Sequence, residues 1–534
     1  MRRLRGLTRR VDVWKQVLNW AEEDSSSSKV LGQQREWGGG DVVKAGDICD
    51  ILRTIGRLPN ERSVELSAVE RKGLSLFTRL LHEHSVREPT LDPKEVSCIL
   101  NQCGRLRYRL DGDVVRGLVD RVAPEECMRV GDITLILHSV GKMNVKLSKE
   151  TQNGFLRALL QDEDGDEDGE ESARRWNSGF REGGLMPMNI SQVLFGLSKQ
   201  TWCTIPVDKV EPLVSRLVGF GAACDAQALG NSMKALGDIK CKLPQDVFDQ
   251  LKSLFLDKVR AGGTVPMEVG QFLLGVSKSG NTLDAGDVNM LVTNLVDAGS
   301  DCQAQQLANS IKALGDMRGG YKLPGPLFER MKALFLRHLS EGKVHPMDIS
   351  QFFLGLSKLK IADRKGRGRK KLDEDAVEAM LACLVSSKEC DAQALGNSIL
   401  ALSNLGCVPL PGPLFEDMKR LFMRKVGEGK AKPMEVSQFL LGASKSGNAV
   451  EAGSLDTLAR CLVAWGHQGH CNAQVLANSI KALGAMEHTL PDKVVDDLAG
   501  LFVKRKQRGE ALPIHVNQFE WGCDKIRRRR GRTT

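Results

Sequence analysis

The sequence predicts an all-α protein, an α-solenoid of about twelve helix-pair repeats of roughly 40 residues each. Three observations carry that prediction. A short segment recurs nine times at nearly constant spacing, its apolar residues follow a helical period, and aromatic residues make up only 5% of the 534-residue chain. So few aromatics argue against a sandwich or barrel, whose strands favour them. No apolar run approaches the roughly 18 residues of a membrane-crossing helix.

The recurrent segment has two forms. The first reads PMNISQVLFGLSK (187–199), PMEVGQFLLGVSK (266–278), PMDISQFFLGLSK (346–358) and PMEVSQFLLGASK (433–445), with a degraded copy, PIHVNQFEWGCDK, at 513–525. The second alternates with it: AQALGNSMKALG (226–237), AQQLANSIKALG (304–315), AQALGNSILALS (392–403) and AQVLANSIKALG (473–484). Aligned on their apolar positions, the Gln of one form falls opposite the Asn of the other. The anchors are then Gln192, Asn231, Gln271, Asn309, Gln351, Asn397, Gln438, Asn478 and Gln518, at steps of 38 to 46 residues. Weaker copies, GDICDILRTIG (46–56), KEVSCILNQCG (94–104) and GDITLILHSVG (131–141), put Asp50, Cys98 and Leu135 at the anchor.

Each repeat reads as two helices. In the anchored helix, apolar residues at −2, +2 and +5 form one stripe, as in Val269, Leu273 and Val276. Pro266, Pro346 and Pro433 stand where a first-turn proline belongs, and Asp225, Asp391 and Asn472 stand as N-caps. Partner helices are expected at 247–259, 327–339 and 414–426, opened by Pro244, Pro324/Pro326 and Pro411/Pro413, with a shorter one at 288–296. A lone hairpin cannot bury both stripes, so neighbouring repeats must stack.

The organisation follows. Residues 1–40 form a basic N-terminal segment, 41–160 hold divergent repeats, and 161–184 hold an acidic, flexible insertion. The regular array spans 185–525 with a basic loop at 364–371, and 526–534 make a basic tail. Both basic inserts are expected to lack order when free, with phosphate contact, nuclear import and plain solubility as alternative roles.

Net charge is +9, but the run DEDGDEDGEE (162–171) contributes eight acids; without them the balance is +17. A basic body suits a polyanionic partner. The fourteen cysteines include no C-x-x-C pair, so neither a disulfide framework nor a zinc site is expected. No secretory signal is visible, and the arginine-rich, acid-free start is similar to an organellar transit peptide. Catalytic signatures for nucleotide, serine-hydrolase or zinc-protease chemistry are missing, and the acidic run lacks the loop Gly of a calcium hand, so no enzyme and no cofactor are expected.

The anchored helix carries a second, polar stripe through −4, 0, +3/+4 and +7. Position +4 is Gly or Ala in all nine strong repeats, allowing close approach of a backbone or a ligand. A lysine lies on this face in eight of them: Lys199, Lys234, Lys278, Lys312, Lys358, Lys445, Lys481 and Lys525. An amide can pair with a base edge while a lysine neutralises phosphate. The amides of the eight anchors Gln192 to Asn478 are therefore the candidate base-facing residues, with the seven lysines from Lys199 to Lys481, Arg367 and Arg369 on phosphate. The competing reading is structural: a ladder of Asn and Gln bonded to the backbone of the next repeat.

The AQxLANSIKALG segments resemble the octotricopeptide repeat, whose second helix carries a Q-x-L-x-N-x-L-W-A-L-A-K-L core. Lys234, Lys312 and Lys481 stand where that core has Trp. A weaker similarity runs to the SKWP repeats of plant-pathogen effectors, here without the Trp-Pro. The resemblance covers about 185–525 well and implies single-stranded RNA as partner, together with ribosomal or RNA-processing proteins. It also implies a chloroplast or mitochondrial location and roles in RNA processing, stability, translation or ribosome assembly. The alternative is an armadillo-like scaffold gripping an extended peptide.

Overall fold

The computed structural model describes residues 92–106, 108–122, 129–160, 185–200, 205–317, 321–362, 372–407, 409–486, 488 and 490–533, with a few single positions before them. Apart from Lys15, Ile51, Leu52 and Ile55, the segment 1–40, the repeat copy at 46–56, the acidic insertion 161–184 and the loop holding Arg367 and Arg369 lie outside the described residues.

The chain divides into two compact units, Met1–Lys258 and Val259–Thr534. Unit 1 contains α1 (Pro93–Leu106), α2 (Gly112–Arg121), α3 (Val130–Met143), α4 (Lys149–Leu160), α5 (Pro187–Ser198), α6 (Val207–Gly219) and α7 (Ala226–Ile239). Helix α8 (Gln245–Arg260) crosses the division. Unit 2 begins with α9 (Pro266–Ser279), α10 (Ala285–Asp297), α11 (Ala304–Asp316), α12 (Gly325–Ser340) and α13 (Pro346–Lys358). It continues through α14 (Glu374–Ser386), α15 (Ala392–Leu405), α16 (Gly412–Gly427), α17 (Pro433–Ser446) and α18 (Ala452–His467). It ends with α19 (Ala473–Ala485), α20 (Asp492–Gln507) and α21 (Pro513–Thr533). Odd-numbered helices carry the anchors and even-numbered ones are their partners.

Local chemistry fixes the helix starts. Asp225, Asp391 and Asn472 accept from the backbone N–H groups of Ala228, Ala394 and Val475 at 2.6, 2.8 and 2.9 Å, satisfying donors a helix start leaves open. In the Gln form, proline takes the first helical position, and a polar residue three positions past the cap reaches back. Glu268 accepts from the Val265 N–H at 2.9 Å, and Glu435 from the Lys432 N–H at 2.8 Å.

Within each unit the repeats stack as a solenoid. In unit 1, α1, α3, α5 and α7 pack in series; in unit 2, the odd helices from α9 to α21 do the same. The −2, +2 and +5 residues are buried in this series up to α19, as Val269, Leu273, Val276, Leu307, Ile311 and Leu314 illustrate, whereas α21 has half-buried Val516 and exposed Glu520 at −2 and +2. The Gln-form helices α13, α17 and α21 also present a Phe at +1 to the partner helix before them, where α5 has Val193. Phe352 stacks on Phe335 at 4.1 Å, Phe439 on Phe422 at 4.2 Å and Phe519 on Phe502 at 4.2 Å. The Asn form has a buried Ser there instead: Ser232, Ser310, Ser398 and Ser479.

Three local features depart from the sequence expectation. Lys322–Pro324 and Lys360–Ala362 form a short parallel strand pair, with Leu323 opposite Ile361, between loops of adjacent repeats. The basic segment from 526 continues α21 to Thr533; Cys523 and Ile526 are buried, and Arg528 pairs with Asp524 one turn back at 3.8 Å. Cys98 is disulfide-bonded, contrary to the expectation of no disulfides, whereas ten other described cysteines are free. Burial pushes the thiols of Cys103, Cys302 and Cys390 up to about 12, so they act as small apolar side chains.

Candidate nucleic-acid interface

On the odd helices the residues at 0, +3 and +7 reach solvent at least in part while +1, +2, +4 and +5 are buried, with two exceptions: the anchor Asn397 is buried, and Glu520, at +2 of α21, is exposed. The tight +4 position belongs to the neighbouring helix. A Cβ on Gly355 would lie 2.5 Å from the carbonyl of Ile311, and one on Gly442 would lie 2.6 Å from the Leu400 nitrogen. On Gly522 it would meet the Ile480 carbonyl carbon at 2.6 Å, and on Gly196 it would overlap the Leu137 carbonyl. The +4 residue therefore brings backbones together and does not face a ligand.

The amides behave differently from a structural ladder. Among the described residues, Gln192, Asn231, Gln271, Asn309, Gln351, Asn397, Gln438 and Asn478 make no side-chain hydrogen bond to the protein. The Gln271 Oε1 is completely buried and unpartnered. Leaving a buried polar group unpaired costs about 1–3 kcal/mol, so the Gln271 amide is not held by a ladder bond. Seven of these eight are half-buried, which leaves their amides to water or to a ligand.

The lysines are only partly available. Asp238, at +7 of α7, lies 3.0 Å from Lys234 and 3.7 Å from Lys199. Asp316 repeats the arrangement in unit 2, 3.0 Å from Lys312 and 2.6 Å from Lys358. Burial pushes the Asp316 carboxyl up, but Lys358 and Lys312 pull it net below the usual carboxylate range. Further along unit 2 the acids disappear. Asn404 takes the position of Asp316 and accepts from Lys445 at 2.8 Å; Ala485 takes it in α19, beside Lys481. Burial and the nearby Lys481 charge lower the pKa of Lys445. The last cation, Lys525, lies over the Trp521 ring at 5.6 Å. Lys278 is exposed on α9. Of the lysines assigned to phosphate, Lys199, Lys234, Lys312 and Lys358 share two carboxylates, whereas Lys445 and Lys481 face none among the described residues.

Two further rows complete the surface. At −4, Met188, Met267, Met347 and Met434 alternate with Gln227, Gln305, Gln393 and Gln474, and Met267 is 45% exposed. This alternation is readable in the aligned repeats, but only the helix geometry makes it part of the polar stripe. In unit 1 the +7 row runs back through Arg105 of α1 and Lys142 of α3. His138, at +3 of α3, tilts against Phe195 at 5.1 Å. Burial and the adjacent Lys142 push His138 down to about 4, so it is neutral at pH 7. Lys199 sits over the same Phe195 ring at 5.4 Å.

Among the described residues no cluster of three His, Cys, Asp or Glu side chains could hold a metal ion, and no helix is long and apolar enough to cross a membrane.

No family model matches the chain, and no curated protein matches it. Among solved structures it is similar to an engineered protein from a structural genomics consortium. That likeness has 13% identity over 92% of this chain and 97% of that chain, with a TM-score of 0.25. The solenoid assignment rests on the chain's own repeat packing.

Proposed function

We propose that the odd-helix surface binds single-stranded RNA, with the anchor amides facing bases and the unneutralised cations facing phosphates. The observation that carries this reading is the set of eight half-buried or buried amides with no hydrogen-bond partner among the described residues. A helical-repeat protein that reads about one base per repeat uses two or three side chains from each, and an amide has the donors and acceptors for a base edge. The +17 balance outside the acidic run supplies attraction to phosphate. The octotricopeptide resemblance points the same way, to a role in organellar RNA processing, stability, translation or ribosome assembly.

A second reading has its own observation. Asp238 and Asp316 place carboxylates in the lysine row, which suits an extended peptide better than a phosphate chain. Salt dependence separates the two. For the full chain and an unstructured RNA oligonucleotide, neutralising about six phosphates gives log K against log salt a slope near −4. An affinity independent of salt, or no binding in dilute buffer, would favour the peptide.

A further inference from the structure

Unit 1 contains a cleft of about 660 Å³ lined by Gly104, Arg105, Tyr108, Arg109, Lys142 and Met143. Arg105 and Lys142 occupy the last turns of the adjacent helices α1 and α3. Arg109 comes from the extended stretch after α1, where buried Tyr108 and Leu110 leave the residue between them pointing outward. All three cations are exposed, no carboxylate lines the cleft, and none of the three has a hydrogen bond or ion pair among the described residues.

Cations at helix C-termini ordinarily offset the open carbonyls of the last turn. Here backbone donors serve part of those carbonyls: Tyr108 N–H bonds the Cys103 carbonyl at 2.9 Å. Asn144, in a left-handed conformation at φ 56°, donates to the Gly141 carbonyl at 3.1 Å, and Val145 donates to the Val140 carbonyl at 3.1 Å. Among the described residues, three positive side chains thus line one acid-free space without a hydrogen bond or ion pair of their own.

We infer that this cleft binds a terminal phosphate monoester, from a free nucleotide or from the phosphorylated end of a nucleic acid. A monoester carries about −1.5 to −2 charges and three acceptor oxygens, against one charge for a chain diester. Two guanidinium forks and an ammonium match that group, since Arg pairs bidentately with phosphate. The volume falls within the range of about 300–1,000 Å³ typical of small-ligand sites. The inference does not depend on base reading by the amides.

The test uses the full chain with three probes: UMP, a 5′-phosphorylated RNA oligonucleotide, and the same oligonucleotide with a 5′-hydroxyl. The expected result is an affinity about tenfold higher for the phosphorylated end, as one lost charge-assisted contact set would give. The double variant Arg105→Ala/Lys142→Ala should remove that gain, and Arg157→Ala, on the exposed face of α4, should keep it. Binding of UMP alone assigns the site to free nucleotides; a gain for the phosphorylated oligonucleotide without UMP binding assigns it to RNA ends. UMP binding without any affinity for the 5′-hydroxyl oligonucleotide would defeat the RNA-track reading and leave the cleft standing. Equal affinity of both oligonucleotides with no UMP binding, or a phosphate gain that persists in the double variant, overturns the proposal.

Discussion

Asp316 shows at one residue how the polar surface is set. Its carboxylate lies 3.0 Å from Lys312 on its own helix and 2.6 Å from Lys358 on the next, so one acid restrains two cations. Because its pKa in the folded state is lowered, the stabilisation is present above the ordinary carboxylate range and is lost as pH falls through the folded value. These are partly exposed pairs, worth about 1 kcal/mol or less. Asp316→Asn should therefore cost little in thermal denaturation. It should release both lysines and tighten RNA binding severalfold, with a steeper salt dependence. Unchanged affinity and slope in salt titrations of the variant would show that this face does not meet phosphate. The sequence placed Lys312 and Asp316 on one face, because they are one helical turn apart. It did not reveal Lys358 as a partner, since that pair joins residues 42 positions apart and depends on how α11 and α13 are offset.

At the scale of the element, the small residue at +4 governs the stack. Gly355 lies so near α11 that a Cβ would sit 2.5 Å from the Ile311 carbonyl, and only backbone atoms could yield. Gly355→Ala should destabilise unit 2 by about 1–3 kcal/mol, the usual range for overpacking. Gly500 provides the contrast: it is an exposed glycine within α20 with nothing inside 4 Å of an added Cβ. Gly500→Ala should raise stability by up to about 1 kcal/mol, the helix propensity difference. Equal melting temperatures for the two variants would contradict the packing assigned to the odd helices. The apolar stripe of each helix was legible because period and burial coincide at −2, +2 and +5. The use of +4 was not, because a missing side chain admits a ligand as readily as a neighbouring helix. The strand pair at 322–324 and 360–362 was likewise hidden: three residues carry no periodicity, and their pairing is made by the repeats on either side.

Across the whole molecule, the net charge of +9 conceals an acidic run of −8 and a basic remainder. Within each unit, the folded repeats sort that remainder unevenly. In unit 2 the cations are neutralised around Asp316 and lack acidic partners around Lys445 and Lys481. What the repeats hold constant is the anchor amide, present in every strong copy and bonded to nothing in the protein among the described residues. The proposed recognition role and a structural ladder predict opposite outcomes for these amides, and substitution of several together separates them most directly. Gln351→Ala, Gln438→Ala and Asn478→Ala should be combined in the full chain, with thermal stability and RNA affinity measured side by side. The account predicts stability within about 1 kcal/mol of the parent and affinity reduced by at least about tenfold. A large loss of stability with RNA affinity retained would contradict it.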